Sequence, residues 1–149
     1  MQTTDWSDFA AALRHHLHFD LFTVLDVDRS AQLVRRSYSS DEVHYPCRGV
    51  KRLLDSSWAA QVIDAGRPFA SQDEREFRGA FADHDVLEAL GLHFALNVPR
   101  RHGDTVCQTI NLLRSAPAFS AAERQAVEAA VAALPEISSA TLLTHKLHI

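Results

Sequence analysis

The chain has 149 residues, of which 46% are hydrophobic and 23% charged, so it is long enough to bury one full core as a single domain over residues 1–149. Its formal net charge of −4 argues against nucleic acid as a partner, because nucleic-acid-binding domains usually present a clustered positive surface. The apolar runs are too short to cross a bilayer, and the first residues lack the pattern of a secretory signal. We therefore expect a cytoplasmic globular protein that does not bind membranes.

The two cysteines, Cys47 and Cys107, are far apart in the sequence and are not at a spacing typical of a metal site. In a reducing compartment both are expected to be free thiols. No metal and no cofactor are predicted.

A helix over about residues 5–18 and a β-hairpin open the chain. Thr4 or Asp5 can cap the helix, and the strands follow at residues 21–27 and 32–40 around a polar turn. The polarity of the second strand predicts that it lies at a sheet edge. The apolar side of the helix, at helical spacing, consists of Trp6, Phe9, Leu13 and Leu17.

Residues 41–54 are the least regular part of the chain, because Pro46 and Gly49 exclude a continuous helix there. A short helix is predicted from Asp55 or Ser56 to about Ile63, and a short strand at residues 69–71. Further helices are expected from about Asp73 to Phe81 and from Asp83, as a cap, to Leu90.

A second hairpin is predicted from strands at residues 94–99 and 106–113, joined by a polar loop in which Gly103 can take a positive φ. Both arms are apolar on more than one face, which favours a position inside a covered sheet. Each arm carries one asparagine, Asn97 and Asn111. If both face the same covered side, they either bond to backbone or water, or they hydrogen-bond a ligand.

After this hairpin, the capping-box pattern from Ser120 to Glu123 predicts a helix over about residues 121–134, with a further helix in residues 137–147. The order is thus helix, hairpin, irregular segment with helices, hairpin, helix. Because hairpins pair antiparallel and terminal helices can cover one face of a sheet, the expected class is α+β. We expect a central antiparallel sheet with helices on one face and a crossover segment on the other.

The chain resembles the GAF domain family. The residues that carry the resemblance are Val24–Asp28, Leu33–Ser40, Tyr45-Pro46 with Gly49 close behind, Asn97-Val98-Pro99, Gly103 and Thr109–Leu113. The order of these segments, from about Asp5 to Leu134, is similar to that of a GAF domain with its closing hairpin. The resemblance implies a small-molecule sensor fold with a pocket between the sheet and the crossover, and a homodimer formed through terminal helices.

Three kinds of GAF domain can be compared with the sequence. The N-K-x(n)-F-x-x-x-D-E pattern of cyclic-nucleotide binders, in which n is variable, does not occur, and neither cysteine lies in the context that attaches a bilin. Free methionine-R-sulfoxide reductases carry clustered catalytic cysteines, one in a G-x-x-C-G context. Cys47 is near the corresponding segment, but Pro46 and Arg48 flank it.

Tyr45, Arg48, Lys51 and Arg52 surround a glycine in the segment expected to cover the sheet. Guanidinium groups match carboxylates and phosphates, so these residues could form an anion-binding lid. The alternative is a set of solvated loop charges, with Tyr45 packed on Pro46.

Aromatic residues can line the same cavity, because small-ligand pockets are mostly apolar with a few polar groups. Trp58, Tyr38, Phe77 and Phe81 are the candidates, although aromatic residues at helical spacing, such as Phe77 and Phe81, more often belong to a plain core. His84 lies between two aspartates, one of which, Asp83, also suits a helix cap.

The favoured function is a non-catalytic module that binds a small anionic or aromatic ligand and signals through dimerisation or a separate partner. A thiol-dependent reductase that uses Cys47 is the first alternative, and a dimerisation scaffold without ligand is the second. The predicted ligand-binding residues are Tyr38, Tyr45, Arg48, Arg52, Trp58, His84, Asn97 and Asn111.

Overall fold

The computed structural model describes residues 4–48, 50–53 and 56–135. Within them, six strands form one antiparallel sheet in the order β3-β2-β1-β6-β5-β4. The strands are β1 (Leu21–Asp28), β2 (Leu33–Ser39), β3 (Val50–Arg52), β4 (Phe69–Ala70), β5 (Phe94–His102) and β6 (Thr105–Arg114). The helices are α1 (Trp6–Leu13), α2 (Ser57–Ala59), α3 (Glu74–Ala80), α4 (His84–Ala89) and α5 (Ala121–Ala132). The expected α+β class is confirmed.

One face of the sheet, here called the helix face, packs against α1 and α5. Side chains alternate along a strand, so Phe22 and Val24 of β1 share this face with Leu96 of β5 and Leu112 of β6. Phe22 sits at the centre, with the rings of Trp6, Phe9, Phe19 and Tyr38 around it at centroid distances of 5.8 to 6.3 Å.

The opposite face, here called the crossover face, is covered by the segment between β2 and β5. Phe77 of α3 and Leu87 of α4 pack there on Leu21, Ala95 and Leu113. A π-helical turn (Ala60–Asp64) continues α2 and contributes the buried side chains of Val62 and Ile63. The arrangement of terminal helices on one face and crossover on the other therefore agrees with the sequence prediction.

Some boundaries differ from the expected ones. Helix α1 ends at Leu13 rather than near His18, because the amides of His15 and His16 bond to carbonyls three residues back and tighten the last turn. Strand β2 is not the edge strand, since β3 pairs along its outer side. The helix expected in residues 137–147 lies outside the described residues. None of the described helices is long and apolar enough to cross a bilayer.

Arg114 at the end of β6 joins three parts of the chain. Its side chain is 2% exposed, and its guanidinium donates five hydrogen bonds of 2.7 to 3.1 Å, which equals the full donor capacity of an arginine. The acceptors are the carbonyls of His18, Pro117 and Ala118 and both carboxylate oxygens of Glu123. Bonding to Arg114 holds the pKa of Glu123 at about 2, although partial burial opposes this shift.

Replacing Arg114 with methionine should destabilise the protein by roughly 3–5 kcal/mol, since three carbonyls and one carboxylate lose their buried partner together. Urea unfolding measures the change. The matched control is Arg124→Met, whose guanidinium pairs with Glu128 on the exposed side of α5. That variant should change the free energy of unfolding by less than about 1 kcal/mol. Equal effects of the two substitutions would contradict the role assigned to Arg114.

Candidate functional site

A line of buried polar side chains crosses the crossover face at the middle of the sheet. Thr23 of β1 pairs in register with Asn111 of β6, which pairs with Asn97 of β5. Asn97 donates to Asn111 Oδ1 at 2.8 Å, and Asn111 donates to Thr23 Oγ1 at 3.2 Å. Thr109 Oγ1 also donates to Asn111 Oδ1, at 3.0 Å. The two asparagines therefore face the same covered side, and the protein itself supplies hydrogen-bond partners for both.

Trp58 covers this line of polar side chains on the side away from the sheet. Its indole Nε1 donates to Asn97 Oδ1 at 2.9 Å, and its ring lies 6.4 Å from that of Phe81. Ser56 caps the helix through a bond to the Ala59 amide, and the π-helical turn begins immediately afterwards. Single π-turns occur frequently at functional sites, where the extra residue reorients the neighbouring side chains.

Tyr38 does not join this site. It pairs with Val24 on the helix face and contacts Phe22 edge-on at 5.8 Å, whereas Trp58 bonds on the crossover face. Tyr38 and Trp58 therefore do not line one cavity, contrary to the expectation from the sequence.

The two arginines of the expected lid are exposed. Arg48 lies in the loop after Pro46, and Arg52 lies on the edge strand β3, where it pairs with Leu33. Tyr45 points inward and packs partly against the core of the crossover face. Of the predicted lid, the structure thus buries the tyrosine and leaves these two guanidinium groups in solvent.

A second polar cluster forms around Asp83 and includes residues that the sequence analysis did not assign to a site. Oδ2 of Asp83 accepts from the Tyr45 hydroxyl at 2.5 Å and from Lys51 Nζ at 3.2 Å. The Arg36 guanidinium lies 3.9 Å from the same oxygen and stacks on the Tyr45 ring, with 3.6 Å from Cζ to the ring centroid. Arg36 also donates to the carbonyl of Pro46 at 2.7 Å. We call Arg36, Tyr45, Lys51 and Asp83 the Asp83 cluster.

The charges in the Asp83 cluster are mutually stabilising. Burial alone would raise the pKa of Asp83, but the hydrogen bond from Tyr45 and the charge and hydrogen bond of Lys51 hold it below its ordinary value. Burial and the adjacent carboxylate raise the pKa of Tyr45 well above that of a free tyrosine. At neutral pH the cluster therefore contains a carboxylate, a neutral phenol and two cations.

His84 follows Asp83 at the start of α4. Its Nδ1 lies 3.2 Å from Asp85 and 3.3 Å from Glu88. These three residues, and separately Glu74, Glu88 and His93, come close enough for a metal ion. Glu88 is common to both groups and already forms an ion pair of 2.7 Å with Arg78, which is typical of a surface salt-bridge network.

Neither cysteine is activated as a nucleophile. Burial and the adjacent carboxylate of Glu42 raise the pKa of Cys47 to about 11, and burial raises the pKa of Cys107 to about 11. Because the thiolate is the reactive form, both shifts reduce reactivity at neutral pH.

Alkylation of the two thiols should therefore be slow. At pH 8 we expect Cys47 to react with iodoacetamide about 100-fold more slowly than a free thiol, and the rate should rise with pH until about pH 11. Mass spectrometry of each cysteine peptide measures the rates, with the urea-unfolded chain as the control. Rapid labelling of Cys47 at pH 7 would contradict this expectation and favour the thiol reductase.

No family model and no curated protein sequence matches the chain. Solved structures do match, at low sequence identity. The GAF domain of a two-component sensor histidine kinase from Bacillus halodurans is 13% identical, with a TM-score of 0.72 over 96% of this chain and 94% of that one. A GAF domain/HD domain protein from Geobacter sulfurreducens is 16% identical, with a TM-score of 0.67 over 85% and 84%.

A type II free methionine-R-sulfoxide reductase from Thermoplasma acidophilum shares the architecture as well. It is 12% identical, with a TM-score of 0.62 over 94% of this chain and 91% of that one. Because one fold hosts both sensory domains and an enzyme, the similarity alone does not assign an activity. The chain has a GAF-like fold.

Proposed function

We propose that this chain is a non-catalytic module that binds a small molecule beneath Trp58, on the crossover face of the sheet. The observation that carries the proposal is the line of four buried polar residues at the middle of the crossover face, with Trp58 bonded to it. The hydrogen bonds of this line are made within the protein, so a ligand enters by exchanging one of them, and the bond from Trp58 is the one that comes from the covering segment. Thr23, Asn97, Thr109 and Asn111 concentrate donors and acceptors under this aromatic side chain.

The surrounding aromatic residues suit a ligand with a flat or apolar body. Rings of Phe69 and Phe81 lie 6.4 Å apart, and Phe81 is also 6.4 Å from Trp58. A ligand in this position would take over the acceptor that Trp58 now uses on Asn97. Binding would therefore exchange one hydrogen bond for another and displace the indole ring.

A thiol reductase remains the competing function, because a sulfoxide reductase has the same fold. The raised pKa of Cys47 favours the non-catalytic proposal instead. A scaffold without ligand, the other alternative, would require Trp58 to stay fixed under all conditions.

Ligand binding should be visible in the fluorescence of Trp58. The chain has two tryptophans, so Trp6→Phe leaves Trp58 as the single reporter. In a screen of small anionic and aromatic metabolites, a true ligand should shift the emission and raise the melting temperature, with about 2.7 kcal/mol of stabilisation at 100-fold excess over Kd.

The variant Asn97→Ala should weaken that ligand by at least tenfold, because it removes the central acceptor of the site. The matched control is Gln108→Ala, which removes a buried amide from the helix face, where Gln108 bonds Asp26 and Arg100. If no compound shifts the emission of Trp58, or if both variants weaken binding equally, the proposed site is wrong.

We also propose that the module acts as a homodimer through its terminal helices. Support comes from α5 and its C-terminal end, where Ala122, Ala126, Ala129 and Ala133 are all exposed. These positions are spaced by four and three residues and so lie on one side of the helix.

A lysine in this alanine surface should disrupt the dimer. We expect Ala126→Lys to raise the dimer dissociation constant at least tenfold in sedimentation equilibrium. The matched control Ala89→Lys places the same charge on an exposed alanine of α4 and should leave the association unchanged. A monomeric wild-type chain would exclude the dimer.

A further inference from the structure

The Asp83 cluster has the composition of a carboxylate-binding site that the protein fills with its own aspartate. A phenolic hydroxyl, an ammonium and a guanidinium all converge on one oxygen, Oδ2 of Asp83. We propose that Arg36, Tyr45 and Lys51 bind the carboxylate of a small-molecule ligand, and that Asp83 occupies this site in cis until the ligand replaces it.

Arg36 is held in place by contacts that do not involve Asp83, unlike an arginine in an ordinary surface salt bridge. The Arg36 side chain is 11% exposed and lies flat on the Tyr45 ring, while its Nη1 is held by the Pro46 carbonyl at 2.7 Å. Such an arginine loses little conformational entropy when it binds an anion. Its other terminal nitrogen, Nη2, faces Asp83 at 3.9 Å, longer than a hydrogen bond. The carboxylate of a free ligand is not tethered to the backbone as that of Asp83 is, so it can approach Nη2 more closely.

The balance of charge also favours an external anion. Arg36 and Lys51 carry two positive charges, and Asp83 supplies one negative charge. Loss of Asp83 from the site would leave the poorly solvated Arg36 without its anionic neighbour, which is costly unless another anion enters. Because the site already accepts a carboxylate, an external carboxylate reproduces its geometry better than a tetrahedral phosphate.

Exchange of the carboxylate would change the contact between two parts of the segment that covers the crossover face. Asp83 precedes α4, whereas Tyr45 and Lys51 belong to the segment between β2 and α2. When an external carboxylate takes the donors, the bonds that tie this segment to α4 are lost. The inference rests on the proposed function, since it names the chemical class of the ligand and its anchoring residues.

The test removes the carboxylate of Asp83 and supplies a free carboxylate from solution. Asp83→Ala deletes the carboxyl group, and acetate is the probe that replaces it. We expect acetate to bind this variant at least tenfold more tightly than wild type in an NMR titration at constant ionic strength, with chloride as the salt control. The Nε–H resonance of Arg36 should shift on binding.

Three further variants and one further probe make the result decisive. The matched control Asp85→Ala removes an exposed carboxylate of α4 and should gain no acetate affinity. Asp83→Ala/Arg36→Gln, which lacks both the occupant and the guanidinium, should not bind acetate. Asp83→Asn, a near-isosteric change for use if the alanine variant does not fold, should bind acetate at least threefold more tightly than wild type. Inorganic phosphate should bind Asp83→Ala more weakly than acetate does.

Equal acetate affinity of wild type, Asp83→Asn and Asp83→Ala would overturn the inference, as would tighter binding of phosphate than acetate. Its failure is separable from failure of the proposed function, because the Trp58 screen uses the wild-type Asp83 cluster and includes ligands without a carboxylate. If a compound shifts the emission of Trp58 but Asp83→Ala gains no acetate binding, the inference is refuted and the proposed function is not.

Discussion

Strands β1, β6 and β5 are covered on both faces, and this constraint determines most of the internal chemistry. Most side chains on these strands are directed into one of two covers, so the buried polar ones need partners inside the protein. Asn97 and Asn111 bond to each other, Gln108 bonds to Asp26 at 2.8 Å, and Arg114 bonds to three carbonyls and Glu123. The same alternation that forms the core thus places the polar groups in separate, satisfied networks.

The two covers are built differently. On the helix face, aromatic and aliphatic side chains of α1 and α5 interdigitate around Phe22, and Arg114 holds the chain between β6 and α5. On the crossover face the cover consists of short helices joined by loops, and polar contacts such as Tyr45 to Asp83 and Trp58 to Asn97 attach it. Polar contacts can be exchanged for equivalent ones, whereas a close-packed apolar layer has no such alternative. This difference is the reason why we propose the crossover face as the side that binds a ligand.

The sequence was sufficient for the fold class and the element order, because these depend on periodicity and on hairpin geometry. It left open whether Asn97 and Asn111 share a side, because that depends on the pairing register. Placement of Tyr38 depended on a β-bulge that has no sequence signal here. Neighbouring residues Val24 and Leu25 pair with Tyr38 and Arg36, so Ser37 is the extra residue. In a regular strand Tyr38 and Arg36 would share one face, but the bulge puts them on opposite faces and brings Arg36 to the crossover.

The Asp83 cluster could not be predicted for a related reason. Lys51 and Asp83 are 32 residues apart, and the short helices between them fix their relative position. As the residue before α4, Asp83 has the sequence position of a helix cap, yet its side chain makes no capping bond. Its carboxylate bonds to Tyr45 and Lys51 instead, because a buried phenol and a cation stabilise it more than a terminal amide would.

Phe81 connects the two polar sites of the crossover face. Its ring lies 6.4 Å from Trp58 and 5.1 Å from Phe77, and it precedes Asp83 by two residues. A ligand that displaced both Trp58 and Asp83 would therefore act on one short segment from two sides. The hydrogen bonds of both sites are already made within the protein, so such a ligand would replace hydrogen bonds instead of adding them. Its affinity would therefore come chiefly from apolar burial and from the charge of Arg36 and Lys51. A small carboxylate with an aromatic or aliphatic body meets both requirements, and it shifts the conformation of this segment only as far as it binds the displaced state more tightly.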